Sequence, residues 1–224
     1  QSDLNIMCQN SHFIIGGNVP SGYYTALGVL QGIQVVLEEI YDSSDISGRT
    51  FAIQGLGKTG FELFKLLYGE AEKIFVSDIN KELLELVKKE YPNVVAVDSS
   101  DIHKQKVDVF CPCALSGVVN KKTISQLQCK AIVGAANNQL ESNDIGQQLY
   151  DANILYAPDY IANSGGLISV ADQYKNTTHD DKRIKNSLLK IKDVLGDIFS
   201  KSKRDKQSSD VVANQIAEDI FTKS

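Results

Sequence analysis

Three glycines, Gly55, Gly57 and Gly60, form the pattern G-x-G-x-x-G between a short apolar segment and a helical one. In this context the first glycine permits a tight turn, and the second lets the backbone approach a pyrophosphate. The third lets the helix pack closely on the strand. Free N–H groups and the positive end of the helix dipole attract phosphate. The pattern therefore predicts a dinucleotide site; a glycine-rich turn without a ligand is the disfavoured alternative.

An acidic residue follows at the spacing that a ribose-binding carboxylate needs. Asp78 ends the next apolar segment, 23 positions after Gly55 (78 − 55), where about 20 are expected. A carboxylate there accepts hydrogen bonds from the adenosine ribose and repels a 2′-phosphate, and no arginine follows it immediately. The predicted cofactor is NAD rather than NADP. The alternative is that Asp78 only caps the following helix.

Short apolar segments alternate with helical segments around this motif. Six strands are predicted at 50–54, 73–78, 93–97, 107–111, 130–134 and 154–156. Poor alternation of polar residues within them is typical of buried parallel strands, and the order indicates βαβ units. The predicted fold is α/β, a doubly wound parallel-sheet Rossmann domain with added N- and C-terminal helices. Helices are expected over 26–40, 60–69, 81–87, 143–151, 163–175, 184–198 and 211–221, with a weak one at 3–13, and residues 201–210 are predicted to be flexible.

Composition excludes several classes of function. The chain has 224 residues, is 42% hydrophobic and carries a net charge of −5, so we expect neither nucleic-acid nor anionic-membrane binding. No apolar run approaches the roughly 18 residues of a membrane span, and no segment resembles a signal peptide. These features and the sparse cysteines predict a cytoplasmic protein.

Four cysteines raise the question of a metal site. Cys111 and Cys113 are two apart on a predicted strand and should face the same side of it. Only His103 lies near them in sequence, and no second cysteine pair supplies the remaining ligands of a zinc site. We therefore predict no metal and expect these thiols to pack as small hydrophobic groups.

Four further motifs carry a family resemblance. The chain resembles the glutamate/leucine/phenylalanine/valine dehydrogenase family over nearly its whole length, and most of all its leucine-specific members. The segments that carry it are Thr25-Ala26-x-Gly28-Val29, Cys113-Ala114-Leu115-x-Gly117, Asn137-Asn138-Gln139-Leu140 and Tyr156-Ala157-Pro158-Asp159-Tyr160-x-x-Asn163-x-Gly165-Gly166.

The resemblance implies roles for residues outside the glycine motif. Thr25 and Asn138 match residues that hold the nicotinamide carboxamide, the backbone around Ala114 lies against the nicotinamide ribose, and Asp98 lies beside the adenine. The full set implied to bind cofactor is Thr25, Gly55, Gly57, Lys58, Thr59, Gly60, Asp78, Ile79, Asp98, Cys113, Ala114 and Asn138. Lys58 stands where several members carry asparagine, which leaves its phosphate contact open.

Leu167 and Val170 match positions that line the pocket for the substrate side chain, and Asn138 also lies near the substrate. Both pocket positions are apolar, which favours a branched aliphatic amino acid at roughly 0.8 kcal/mol per buried methylene. Leucine, valine, isoleucine and phenylalanine all remain open, because one methylene discriminates by only about 1–3 kcal/mol. The alternative is that both residues are simply core, and Asn163 could serve only as a helix cap.

The family reaction is oxidative deamination of an amino acid to a 2-oxo acid and ammonia, carried by two lysines and an aspartate. The resemblance places the lysines in an N-terminal substrate domain that we expect this chain to lack. Asp3 is the candidate aspartate, with helix capping as the alternative. The expected organisation is residues 1–20 as a linker from that domain, 21–160 as the NAD-binding domain and 161–224 as C-terminal helices.

Two hypotheses about the chain follow. In the first, it binds NAD(H) without turning over the amino acid, and the full-length enzyme is a homo-oligomer whose only other partner is the small-molecule substrate. In the second, it is a natural non-catalytic module that binds NAD(H) or another protein. A different Rossmann dehydrogenase is disfavoured by the segment from Pro158 to Gly166.

Overall fold

The computed structural model describes residues 20–176 and 178–223. In this part of the chain six strands form one sheet in the order β3-β2-β1-β4-β5-β6, and every neighbouring pair is parallel. This order is that of the dinucleotide-binding doubly wound sheet, so the predicted fold is confirmed. The strands are β1 (Thr50–Gln54), β2 (Lys73–Ser77), β3 (Val94–Ala96), β4 (Val109–Pro112), β5 (Ala131–Ile132) and β6 (Leu155–Tyr156).

Helices cover both faces of the sheet. They are α1 (Ser21–Tyr41), α2 (Lys58–Tyr68), α3 (Lys81–Glu90), α4 (Asn143–Asp151), α5 (Asp159–Ala162), α6 (Gly165–Asn176), α7 (Asp181–Leu188), α8 (Lys190–Asp205) and α9 (Ser209–Lys223), with 3₁₀ turns at Ile102–Lys104 and Ile124–Gln126. Alternate side chains of β1 divide between the faces, as strand geometry requires. Phe51 and Ile53 pack with α1, α2, α7 and α8, whereas Ala52 packs with α4 on the other face.

The long helix α1 lies in the centre of the larger core and touches α5 and α6 through glycines. A Cβ at Gly28 would lie 2.8 Å from the carbonyl oxygen of Ala162, and one at Gly165 would lie 1.9 Å from the carbonyl oxygen of Tyr24. Real Cβ atoms essentially never approach within 3.0 Å. The close crossing of these helices therefore depends on glycine at both positions.

The Asp108 carboxylate forms hydrogen bonds with residues at the amino-terminal ends of the strands, at the sheet edge opposite the glycine turn. Asp108 Oδ2 accepts hydrogen bonds from the backbone N–H and the hydroxyl of Thr50, both at 2.9 Å. Its Oδ1 accepts from the Tyr41 hydroxyl and from Lys130 Nζ at 3.1 Å. Burial alone would raise the pKa of Asp108, but these hydrogen bonds outweigh it and hold the pKa below its usual value.

The segment 201–210 is ordered, so the prediction that it is flexible is wrong. Helix α8 continues to Asp205, which pairs with Lys201 one turn earlier. Ser202 and Ser208 are buried, and the Ser202 hydroxyl donates to the carbonyl of Gln207. Most of the charged residues that suggested a mobile linker are exposed at the end of α8, whereas Ser202, Ser208 and Asp210 are buried.

One predicted helix is divided in the structure. The apolar periodicity over 184–198 spans α7 and α8, which are separated at Leu189. The predicted helix over 163–175 corresponds to α6, and the short α5 precedes it. The predicted helix at 3–13 lies outside the described residues.

Cys111 belongs to the larger core and Cys113 packs against it, so the two side chains face the same layer as predicted. Among the residues that the structure describes, no group of three or more His, Cys, Asp or Glu side chains could hold a metal ion. The His103 ring instead makes a 3.0 Å hydrogen bond with Gln126. None of the described helices combines the length and the apolar character needed to cross a membrane.

Candidate functional site

The glycine motif forms a compact turn at the carboxyl end of β1. Gly55 has a φ of +93°, which favours glycine. A Cβ at Gly55 would lie 2.6 Å from Ala114 Cβ, and one at Gly60 would lie 1.9 Å from the carbonyl oxygen of Gly55. At Gly57 no described atom lies within 4 Å of the corresponding position. The first and third glycines therefore close the turn, and the second leaves open space above it.

The turn leads directly into the amino terminus of α2. Gly57 is the N-cap of α2, and no hydrogen bond from a described side chain caps the helix there. The first turn carries no acidic side chain and begins with the exposed Lys58, and Thr59 beside it is half-buried. Uncapped N–H groups and the helix dipole make such a terminus attractive to anions. This arrangement fits a pyrophosphate.

Asp78 lies beside the turn at the carboxyl end of β2. Its Oδ2 accepts a 2.6 Å hydrogen bond from Leu56 N–H, and its Oδ1 accepts a 2.8 Å bond from Asn80 N–H. Helix α3 is capped by Asn80, whose side chain accepts from Leu83 N–H, so Asp78 is not its N-cap. Because a carboxylate has about four acceptor positions, the half-buried Asp78 keeps acceptor capacity toward solvent.

An open cleft of about 830 Å³ adjoins Asp78 between the ends of β2 and β3. Asp78, Ile79 and Asp98, all predicted to bind cofactor, line it together with Lys81 and Ala96. Ile79 is 92% exposed, which is unusual for an isoleucine and provides an apolar surface at the rim. The structure therefore brings the three predicted residues of the adenosine end into one cleft.

Thr25 lies beside Gly166, and Cys113 lies beside Gly60 of the glycine turn. Thr25 Oγ1 donates to the carbonyl of Ser21, and a Cβ at Gly166 would lie 2.6 Å from this oxygen, so Thr25 lies against the start of α6. Cys113 N–H donates to the carbonyl of Gln54 at 2.8 Å. The Thr25 hydroxyl is therefore held within α1 against the start of α6, and the Cys113 backbone is held by the end of β1.

Asn138 is exposed and has a φ of +50°, a left-handed conformation that is uncommon outside glycine. Its carbonyl oxygen accepts a 2.7 Å hydrogen bond from Gly117 N–H. The next N–H, of Gln139, donates to Asp159 Oδ2 at 2.8 Å. Asn163 ends α5 as its C-cap, and its side chain donates to Asn137 Oδ1 at 2.8 Å. Residues at both ends of α5 therefore hold the loop that carries Asn138.

The two predicted substrate-binding residues follow Gly166 on α6. Leu167 is 73% exposed, so it is not part of the core. Val170 is half-buried one turn later. An exposed leucine beside a half-buried valine gives α6 an apolar face close to Thr25. Asp3, the predicted catalytic aspartate, lies outside the described residues.

Buried titratable groups near the site are poor nucleophiles. Burial raises the pKa of the Cys113 thiol to about 12 and that of Cys111 well above its usual value. Burial, together with a hydrogen bond to Asp181, raises the pKa of Tyr24 to about 12. These side chains stay protonated at neutral pH, so the chemistry of the site lies in its hydrogen-bonding groups.

Sequence reasoning missed three polar features of the site. Asp159 lies 20 positions from Gln139, to which it is bonded, and no local pattern links the two. Gln54 Oε1 and Ser77 Oγ are buried at paired strand ends without a hydrogen-bond partner among the described residues. Their place at the carboxyl edge of the sheet, where α/β folds bind ligands, was the available signal.

Known proteins resemble the chain in both sequence and structure. The sequence profile of the family described as glutamate/leucine/phenylalanine/valine dehydrogenase matches residues 78–220. Phenylalanine dehydrogenase of Caldalkalibacillus thermarum is 39% identical over 212 residues, which cover 93% of this chain and 57% of that protein. Leucine dehydrogenase of Geobacillus stearothermophilus is 34% identical over 224 residues, covering 97% and 60%.

A solved structure agrees with these relatives. The crystal structure of L-tryptophan dehydrogenase from Nostoc punctiforme superposes with a TM-score of 0.87 at 35% identity, covering 97% of this chain and 63% of that one. The chain spans about three-fifths of the length of the proteins it matches. Relatives named for phenylalanine, leucine and tryptophan match at similar identity. By its profile match and its relatives, the chain belongs to the glutamate/leucine/phenylalanine/valine dehydrogenase family.

Proposed function

We propose that this chain is the NAD-binding part of an amino acid dehydrogenase. The reaction is the reversible oxidative deamination of an L-amino acid with a leucine-type apolar side chain to a 2-oxo acid and ammonia. The observation that carries the proposal is the glycine turn from Gly55 to Gly60, joined to Asp78 by the 2.6 Å bond from Leu56 N–H. The acid and the turn form one unit, as dinucleotide recognition requires.

NAD, when bound, supplies the ring that accepts hydride. The N–H groups at the start of α2 hold the pyrophosphate above Gly57, where open space is available. Asp78 accepts hydrogen bonds from the adenosine ribose, while Thr25 and Asn138 hold the nicotinamide carboxamide and so choose which ring face meets the substrate. Ala114, packed against Gly55, lies on the nicotinamide ribose.

Charge supports NAD over NADP at the adenosine end. The Asp78 carboxylate would lie beside a 2′-phosphate, and Asp98 lines the same cleft. Lys81 and Lys88, on helix α3, also line the cleft. The Asp78 carboxylate differs from them because the hydrogen bond from Leu56 N–H fixes it at the end of β2. Repulsion of the 2′-phosphate by this fixed carboxylate favours the cofactor that lacks it.

The apolar face of Leu167 and Val170 supports an aliphatic side chain on the substrate. In this proposal residues 21–160 form the NAD-binding domain, 161–224 pack as C-terminal helices, and 1–20 link to a substrate domain that carries the lysines. Asp3 is then the proton-relaying aspartate. The full-length protein is proposed to be a homo-oligomer. The 224-residue chain by itself is proposed to bind NAD(H) without deaminating leucine.

Titration of NADH and NADPH fluorescence tests the cofactor assignment. The wild-type chain is expected to bind NADH at least tenfold more tightly than NADPH. Asp78→Asn removes the charge but keeps the shape, and should weaken NADH by about tenfold, because a hydrogen bond to a charged group contributes roughly 1.5–3 kcal/mol. Asp101→Asn removes a charge from the same cleft and should leave the preference unchanged. Equal NADH affinity for wild type and Asp78→Asn would refute the role of Asp78.

An activity assay tests the proposal that this chain binds NAD(H) without deaminating leucine. The chain is incubated with leucine and NAD, and NADH formation is followed at saturating concentrations of both. No turnover is expected, because this chain is proposed to carry only the cofactor-binding half. Measurable deamination of leucine by the chain alone would show that the necessary lysines lie within these 224 residues.

A further inference from the structure

We propose that Asp159 is a positioning residue that fixes the peptide group between Asn138 and Gln139, and thereby aims the Asn138 side chain at the nicotinamide. Asp159 acts through the backbone and does not itself touch the cofactor. The inference rests on the proposed function, since it requires that Asn138 meets the nicotinamide.

The peptide group is held at both ends. Its oxygen, the carbonyl of Asn138, accepts a 2.7 Å hydrogen bond from Gly117 N–H. Its N–H, on Gln139, donates to Asp159 Oδ2 at 2.8 Å. A peptide flip would break both bonds at once. The two contacts therefore fix ψ of Asn138 and φ of Gln139 together.

The Asn138 backbone needs such support. Its φ of +50° lies in the left-handed region, which asparagine adopts more often than other residues with a side chain but still at a cost, and such conformations persist where the surroundings hold them. Gly117 supplies a neutral hydrogen bond, whereas Asp159 supplies a charge-assisted one, which is the stronger kind. Loss of the Asp159 bond would release the loop at Gln139, and a shift of this loop would carry the Asn138 side chain away from its position.

Asp159 is itself oriented from the C-terminal side of the fold. Its backbone N–H donates to the hydroxyl of Tyr156 at 3.3 Å. The carbonyl of Tyr156 accepts a buried 2.5 Å hydrogen bond from the hydroxyl of Ser209, at the start of α9. Four residues beyond Asp159, Asn163 Nδ2 donates to the side chain of Asn137. The short helix α5 therefore braces the loop before and after Asn138.

Two ligands distinguish positioning from general stabilisation. NADH carries the nicotinamide, and ADP-ribose carries the same adenosine, pyrophosphate and ribose without it. Asp159→Ala is expected to weaken NADH about five- to tenfold, the size expected for one lost hydrogen bond, and to leave ADP-ribose within about twofold of wild type. Asp159→Asn should restore NADH affinity, because the asparagine oxygen can accept the same bond. In an Asn138→Ala background, Asp159→Ala should cause no further loss.

A matched control is Asp144→Ala, which removes an exposed acid from the first turn of α4 and should change neither affinity. Equal weakening of NADH and ADP-ribose by Asp159→Ala would overturn the inference, as would unchanged NADH affinity. If the wild type bound NADH no more tightly than ADP-ribose, the inference would also be overturned, but the proposal that the chain binds a nucleotide would stand. Failure of the wild type to bind either ligand would instead refute the proposed function and, with it, this inference.

Discussion

Replacing Gly60 with alanine should loosen the glycine turn and lower the free energy of unfolding. The new Cβ would lie 1.9 Å from the carbonyl oxygen of Gly55 and 3.1 Å from Cys113 Cβ. Since real contacts stay beyond 3.0 Å, the strand end and the helix must separate by about 1 Å. Both groups nearest the methyl are held in the fold, so the overpacking penalty should be near the upper end of about 1–3 kcal/mol.

A smaller effect of the same change acts in the opposite direction. Alanine favours a helix over glycine by up to about 1 kcal/mol, and Gly60 lies in the first turn of α2. The net expectation for Gly60→Ala is a loss of about 2 kcal/mol in urea denaturation, or roughly 4–8 °C in melting temperature for a chain of this size.

Gly57→Ala is the matched change, because it separates folding from binding. No described atom lies within 4 Å of the new Cβ, and the φ of −66° suits alanine. We expect the free energy of unfolding to stay within about 1 kcal/mol, since the poorer N-cap and the stiffer unfolded chain act in opposite directions. NADH affinity should fall at least tenfold, because the methyl occupies the space above the turn proposed for the pyrophosphate.

Gly60→Ala should therefore lower the free energy of unfolding, whereas Gly57→Ala should lower the affinity for NADH. Urea denaturation followed by circular dichroism reports folding, and NADH fluorescence reports binding. Wild-type stability of Gly60→Ala would show that the turn does not need the close approach described. Wild-type NADH affinity in a folded Gly57→Ala would show that the phosphates do not pass over Gly57.

Three further predictions concern other parts of the fold. Gly165→Ala should destabilise by about 2–3 kcal/mol in urea denaturation, because its Cβ would lie 1.9 Å from the carbonyl oxygen of Tyr24. Asp108→Asn should destabilise by about 1–3 kcal/mol at pH 7; because the folded-state pKa of Asp108 is lowered, this difference should shrink as the pH falls below about 4, where the wild-type carboxylate becomes protonated. The thiols of Cys111 and Cys129, whose pKa values burial raises, should react with Ellman's reagent at pH 7.5 only after denaturation.

Each of these predictions has its own control. Gly196→Ala lies in helix α8 with no described atom within 4 Å of the new Cβ, and should stabilise by up to about 1 kcal/mol. A constant difference between wild type and Asp108→Asn from pH 7 to pH 3 would contradict the lowered pKa. For the thiols, the double variant Cys8→Ser with Cys113→Ser removes the cysteine outside the described residues and the half-buried one, and rapid reaction of the folded variant would contradict the burial of Cys111 and Cys129.

Local sequence signals predicted the elements that build the nucleotide end of the site. The turn from Gly55 to Gly60 and the acid Asp78 act over short stretches of chain, and each lies at the end of a strand rich in apolar residues. Burial on both faces of a parallel sheet imposes such composition. Asn80 as the cap of α3 was likewise readable, because a cap acts within three residues of itself.

Features that depend on distant partners were not readable in this way. The charged composition of 201–210 suggested flexibility, but burial of Ser202 and Ser209 depends on contacts with elements far away in sequence. The hydrogen bond from Gln139 N–H to Asp159 joins two segments that lie 20 positions apart, and it leaves no periodic pattern in the sequence. The break at Leu189 is hidden because the apolar positions continue through it with nearly helical spacing.

The central position of α1 has a consequence for synthesis of the protein. Tyr41 ends α1 and Gly165 begins α6, so 124 positions (165 − 41) separate the helix from that packing partner. At roughly 5–20 residues per second, a ribosome needs about 6–25 s to make this stretch. Throughout that time the side of α1 around Gly28 and Gly32, which α5, α6 and α8 later cover, remains open to solvent. The nascent chain is therefore most vulnerable to aggregation or to chaperone capture before its last helices emerge.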